Sequence, residues 1–122
     1  MTDGSPPLTK LHIRDEEGRI KTISLSESMT EILIGRDVNC VVHLPDITVS
    51  RRHARLVRAD AAFQIVDLGS YNGVILNGER IDTHAKVDVG DRIVIGSFML
   101  WFERADGRGA FDCPTIRLNG KI

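Results

Sequence analysis

From Leu8 the chain alternates, with Leu11 and Ile13 on one side and Lys10, His12 and Arg14 on the other, the period of two expected of a half-buried β-strand. Asp15 to Gly18 reads as a turn, and Arg19 to Leu25 as the returning strand of a hairpin, with Ile23 and Leu25 opposite Thr22 and Ser24. Ile32-Leu33-Ile34 is a short apolar strand stopped by Gly35, which places Arg36 at the start of a loop. Val42 to Leu44 is another, ended by Pro45-Asp46. Ala54 and Leu56 alternate with Arg55 and Val57, and Phe63 and Ile65 flank Gln64, predicting two strands joined near Ala59 to Ala62. Val74 to Leu76 and Arg80-Ile81 flank Asn77-Gly78, a strong hairpin signal because a type I′ turn needs positive φ at both central positions. Val87 and Val89 precede a Gly90-Asp91 turn, and Ile93 and Ile95 lead through Gly96-Ser97 into Phe98 to Phe102. No stretch carries an apolar stripe of helical period. The expectation is an all-β fold, an antiparallel β-sandwich of about eleven short strands.

In the last strand Phe98, Leu100 and Phe102 share a face, leaving Met99 and Trp101 on the other. Either one of the pair is covered by the tail or a loop, or the two form a second contact surface. Glycine, proline and mixed charge replace the alternation from Ala105. The expected division is therefore a disordered N-terminal segment over residues 1–7, the sandwich over 8–104 and a flexible tail over 105–122. Asn119-Gly120 within Ile116 to Ile122 allows that tail an extra hairpin, or marks the chain as a fragment of a longer one.

A length of 122 residues suits one domain that can bury a core without disulfides or metals. The 16 basic and 17 acidic residues leave a net charge of −1, so there is no global positive field of the kind used to hold nucleic acid. Cys40 and Cys113 show no metal-ligand or redox spacing, which fits reduced thiols in the cytoplasm. No apolar run reaches the length of a signal peptide or membrane span, and no membrane partner is expected.

Three polar clusters interrupt the strands: Gly35-Arg36, Ser50-Arg51-Arg52-His53, and Gly69-Ser70-Tyr71-Asn72-Gly73 running on to Asn77-Gly78. Together they supply cations, hydroxyls and amides suited to one compact anion, a phosphate. Arg36 and Arg51 offer guanidinium forks and Ser50 a short hydroxyl donor. Arg51 and Arg52 are adjacent and point apart if extended, so one of them, Arg51, is expected at the pocket. His53 is expected to pin the loop carrying Ser50 through hydrogen bonds rather than to act as a base or ligand, because no nucleophile elbow or metal motif accompanies it. His12, His43 and His84 read as isolated surface residues, and Asp46 and Asp67 as turn and loop hydrogen-bonders. Asn72 can both donate to and accept from an extended peptide backbone. Neither catalysis nor a cofactor is expected.

In order and spacing, Gly35-Arg36, Ser50-x-x-His53, Asp67 through Ser70-x-Asn72-Gly73, Asn77-Gly78 and Gly90-Asp91 resemble a forkhead-associated (FHA) domain. The likeness runs from Ile32 to Phe102 by motif and from Leu8 to Arg104 by strand count. It implies a sandwich whose loops at one end bind phosphothreonine in an extended segment of a signalling partner, such as a Ser/Thr kinase or its substrate. It further implies that Arg36 and Ser50, helped by Arg51, hold the phosphate, that Asn72 clamps the ligand backbone, and that Gly35, His53, Gly73 and Asn77 shape the loops. Thr48, Ser70 and Tyr71 fall beside the pocket. Tyr71 stands where many members carry serine or threonine, so a pocket hydroxyl is missing or replaced. The alternative is a phosphate-independent scaffold domain in a larger assembly. Thr115, with Leu118 three places on, is a candidate phosphosite through which an otherwise monomeric chain could bind a second copy.

Overall fold

The computed structural model describes residues 6–110. Eleven strands follow one another: β1 (Leu8–Arg14), β2 (Ile20–Ser24), β3 (Glu31–Gly35), β4 (Val42–His43), β5 (Ala54–Ala59), β6 (Ala62–Asp67), β7 (Ile75–Leu76), β8 (Glu79–Arg80), β9 (His84–Val87), β10 (Ile93–Ile95) and β11 (Phe98–Arg104). They form a six-stranded sheet ordered β2-β1-β11-β10-β7-β8 and a five-stranded sheet ordered β4-β3-β5-β6-β9. No helix is present among the described residues.

The alternation decides which side of each strand is buried. Leu11, Ile13, Leu100 and Phe102 of the first sheet and Ile32, Ile34, Leu56, Phe63 and Ile65 of the second pack into one apolar core. Phe63 on β6 and Phe102 on β11 stack across the two sheets, with ring centroids 5.3 Å apart. The turns follow their residue chemistry. Asp15 accepts hydrogen bonds from the N–H groups of Glu17 and Arg19 at the β1–β2 turn. Asn77 and Gly78 take φ of 52° and 91° at the β7–β8 turn, as a type I′ hairpin requires.

Three details depart from the reading of the sequence. The pairing is antiparallel throughout except between β3 and β4, which run parallel over two residue pairs, Ile34 with Val42 and Gly35 with His43. Residues 36–41 turn the chain fully round, and side-chain alternation does not encode strand direction. His12 is not a surface residue. It is buried on the outer face of the six-stranded sheet, stacked on Trp101 at 5.4 Å and bonded through Nδ1 to the Thr22 hydroxyl and through Nε2 to Glu103, both at 2.8 Å. Trp101 is 3% exposed, so of the two readings of that face the covered one holds rather than the contact surface, with His12 stacked on the indole. Its register partner on β1 is His12 itself. His43 is half-buried, and its Nε2 lies 3.1 Å from the Arg36 carbonyl oxygen, so it too is not an isolated surface side chain.

Beyond β11 the Arg104 N–H donates to the Arg108 carbonyl at 2.8 Å, and the buried Arg104 guanidinium reaches the Pro6 carbonyl and the Asp88 carboxylate. The expected phosphosite Thr115 and the hairpin around Asn119-Gly120 lie outside the described residues.

Candidate functional site

The site is built where the segment 50–53 crosses the end of β3. The Arg36 N–H donates to the Ser50 carbonyl at 3.0 Å, the Asp37 N–H to the Arg51 carbonyl at 3.1 Å and the His53 N–H to the Ile34 carbonyl at 2.9 Å. Gly35 makes the crossing feasible, since a Cβ placed there would lie 2.1 Å from the Arg51 carbonyl oxygen. This close approach sets the backbone of Arg36 beside that of Ser50 and the backbone of Asp37 beside that of Arg51. Arg36 and Arg51 are exposed and Ser50 half-buried. Arg36 Nε donates to the Val49 carbonyl at 2.9 Å, which orients the guanidinium while using only one of its five N–H donors.

His53 is fully buried and joins two loops. Its Nδ1 accepts from the Ser50 N–H at 3.0 Å, so its Nε2 carries the proton and donates to the Gly73 carbonyl at 2.7 Å. With both ring nitrogens engaged inside the protein, His53 acts as a cross-brace. The Ser50 hydroxyl accepts from the Tyr71 N–H at 3.0 Å, which orients its oxygen and leaves the hydroxyl proton for an acceptor. Ser70 belongs to the loop itself: its N–H donates to Asp67 at 3.1 Å and its buried oxygen accepts from the Gly73 N–H at 2.9 Å. Gly73 takes φ of 80° against the Arg80 side chain, a conformation glycine adopts without strain. Tyr71 contributes its backbone to Ser50, and its side chain stands 88% exposed at the rim.

Asn72 is exposed, and its Nδ2 donates to the Thr48 carbonyl at 2.8 Å. The second amide proton and the carbonyl oxygen are the groups with which it could meet a peptide. Beside it lies a hollow of about 270 Å³ lined by Thr48, Asn72, Gly73, Ile75, Val94, Gly96 and Ser97. Arg52 lines a groove with Glu31, Leu33, Val41, Arg55 and Leu68.

Sequence reasoning passed over Ser97. Asp46 is the loop hydrogen-bonder expected of it, and its reach extends to the other sheet: one of its oxygens accepts from the Thr48 N–H at 3.0 Å, the Thr48 hydroxyl and the Ser97 hydroxyl at 3.0 Å. These bonds, the Thr48 hydroxyl foremost, hold the Asp46 carboxyl below its ordinary value of 3.8. The Thr48 hydroxyl is thereby committed inside the protein. Asn77 also does more than turn the chain, since it donates to Asp91 at 3.0 Å and accepts from the Arg92 N–H at 2.8 Å. Cys40 is buried, and burial pushes its thiol up, the ordinary state of a structural cysteine. Among the described residues no group of three His, Cys, Asp or Glu could hold a metal ion, and no helix is long and apolar enough to cross a membrane.

Residues 32–96 match the FHA domain model, more than half of the chain, and the chain belongs to the FHA domain family. It is 43% identical over 68 residues to the oxoglutarate dehydrogenase inhibitor of Corynebacterium diphtheriae, covering 56% of this chain and 47% of that protein. It is 44% identical over 68 residues to the glycogen accumulation regulator GarA of Mycolicibacterium smegmatis, covering 56% of this chain and 42% of that protein. The chain thus spans about half the length of the curated relatives it matches. Among solved structures, Mycobacterium tuberculosis EmbR in complex with a low-affinity phosphopeptide superposes with a TM-score of 0.64 at 29% identity, over 84% of this chain and 26% of that one.

Proposed function

We propose that this FHA domain is a non-catalytic, cytoplasmic reader of phosphothreonine that binds a phosphorylated segment of a signalling partner, a Ser/Thr kinase or its substrate. The observation that carries the reading is the backbone pairing at the Gly35 crossing, Arg36 with Ser50 and Asp37 with Arg51, beside a loop whose Tyr71 N–H meets the Ser50 hydroxyl and whose Asn72 amide meets the Thr48 carbonyl. Arg36 and Arg51 meet the phosphate oxygens, the Ser50 hydroxyl donates to a third, and Asn72 pairs with the peptide backbone. The hollow beside Asn72 accepts an apolar side chain of the same peptide.

The energetics suit a signalling contact. Phosphothreonine brings about −1.5 to −2 charges at neutral pH, and each charge-assisted hydrogen bond contributes roughly 1.5–3 kcal/mol. Three or four of these, less the cost of ordering the peptide, are consistent with micromolar binding, about −8 kcal/mol. The names of the two curated relatives, an inhibitor and a regulator, agree with control through binding rather than catalysis. A second copy of the chain phosphorylated at Thr115 would offer the same group to this pocket.

The test is binding to an oriented phosphothreonine peptide library, with phosphoserine and unphosphorylated libraries and Arg36→Ala as controls. Threonine-selective binding that Arg36→Ala abolishes, in a protein that stays folded, is the expected result. Binding indifferent to the phosphate would overturn the reading and return attention to a scaffold role around the exposed Tyr71.

A further inference from the structure

The groups assigned to the ligand are held by two consecutive carbonyls. Thr48 C=O accepts from the Asn72 amide at 2.8 Å, and Val49 C=O accepts from Arg36 Nε at 2.9 Å. What aims these carbonyls is a turn closed by Asp46. Its backbone carbonyl accepts from the Val49 N–H at 3.0 Å, and its side-chain Oδ2 accepts from both the N–H and the hydroxyl of Thr48. Ser97, on the β10–β11 turn of the opposite sheet, completes the arrangement. Its hydroxyl donates to Asp46 Oδ2 and its N–H to Thr48 Oγ1, both at 3.0 Å. Gly96 lets the two turns meet, since a Cβ there would lie 2.4 Å from Thr48 Oγ1 and 3.0 Å from the Thr48 carbonyl oxygen.

We propose that Asp46, with Thr48 and Ser97, forms a positioning latch that sets where the Asn72 amide stands, so that Asp46, which does not line the hollow beside Asn72, determines phosphopeptide affinity through the residues that do. This rests on the phosphothreonine reading for its effect on binding, while the latch itself is a property of the free protein. Oδ2 of Asp46 takes three donors, Thr48 Oγ1 takes the Ser97 N–H and lies 3.0 Å from the Ser97 hydroxyl oxygen, and the Thr48 carbonyl remains for Asn72. Removing the carboxylate leaves the Thr48 and Ser97 hydroxyls without their shared acceptor, and the carbonyl that holds Asn72 loses its fixed direction. Because the latch spans both sheets, it also ties the wall of the hollow beside Asn72 to the β4–β5 loop whose Val49 carbonyl holds Arg36.

Two readouts test it. In the ligand-free protein, the side-chain amide resonances of Asn72, followed by NMR, should shift in Asp46→Ala and in Thr48→Val and stay near their wild-type positions in Thr48→Ser, which keeps the hydroxyl. With a short phosphothreonine peptide drawn from the library, Asp46→Ala and Thr48→Val should each weaken binding about tenfold, and Thr48→Ser should restore it. In an Asn72→Ala background the effect of Asp46→Ala should shrink, because the two act through one contact. Unmoved Asn72 resonances, or an Asp46→Ala effect that stays whole without Asn72, would overturn the latch. Failure of the wild-type protein to bind any phosphothreonine peptide would overturn the functional reading instead, and the resonances of the free protein would still decide the latch.

Discussion

His53 Nε2 donates to the carbonyl of Gly73 at 2.7 Å, twenty residues away, while its Nδ1 takes the Ser50 N–H. One buried ring thereby fixes the distance between the loop that would hold a phosphate and the loop that would hold a peptide backbone.

Replacing His53 by alanine removes both bonds and leaves a cavity among buried neighbours. A loss of about 2–4 kcal/mol of stability is expected, seen as a lower melting temperature in calorimetry. An unchanged melting temperature with lost phosphopeptide binding would instead place the ring against the ligand.

Gly35→Ala sets a methyl group 2.1 Å from a backbone oxygen of the crossing segment, which a flexible side chain could yield to but a carbonyl cannot. The segment 50–52 must move, at about 1–3 kcal/mol of stability. Binding should fall further than stability, because Arg36 and Ser50 lose register with each other. A variant that binds at wild-type affinity would show that the crossing is not what brings the two together.

Asp46 gives a pH signature in the free protein. Its carboxyl is held below 3.8 by the Thr48 and Ser97 bonds, so its contribution to stability is complete above that ordinary value and is lost as the pH falls below it. Asp15 and Asp106 are lowered in the same sense, so the comparison must be between wild type and Asp46→Asn. The stability difference between the two, from denaturant titrations, should narrow as the solution is acidified below pH 3.8. A difference constant across that range would mean that the carboxylate charge plays no part in the latch.

Trp101 is the chain's single tryptophan, and with His12 it lies on the outer face of the six-stranded sheet. His12→Ala should uncover the indole and shift its fluorescence emission to longer wavelength, with a loss of roughly 0.5–1.5 kcal/mol from the ring contact. The affinity for phosphopeptide should not change. A large loss of binding would mean that the outer face communicates with the loops.

The sequence alone determined the strand count, the faces the strands bury and the main turns, because a period of two and dipeptides such as Asn77-Gly78 act within a few residues of themselves. Arg36, Ser50, Arg51, Asn72 and His53 were legible as candidates for a related reason, each being a polar residue in a loop between apolar strands. Tertiary structure alone decided the rest. Asp46 and Ser97 are 51 residues apart, His12 and Glu103 are 91 apart, and β4 lies parallel to β3. Those pairings depend on how two sheets stack and in what register, and no local pattern carries that information. A loop aspartate and a turn serine look the same in sequence whether they stand alone or close a latch, because the partner that makes the difference arrives from the other sheet.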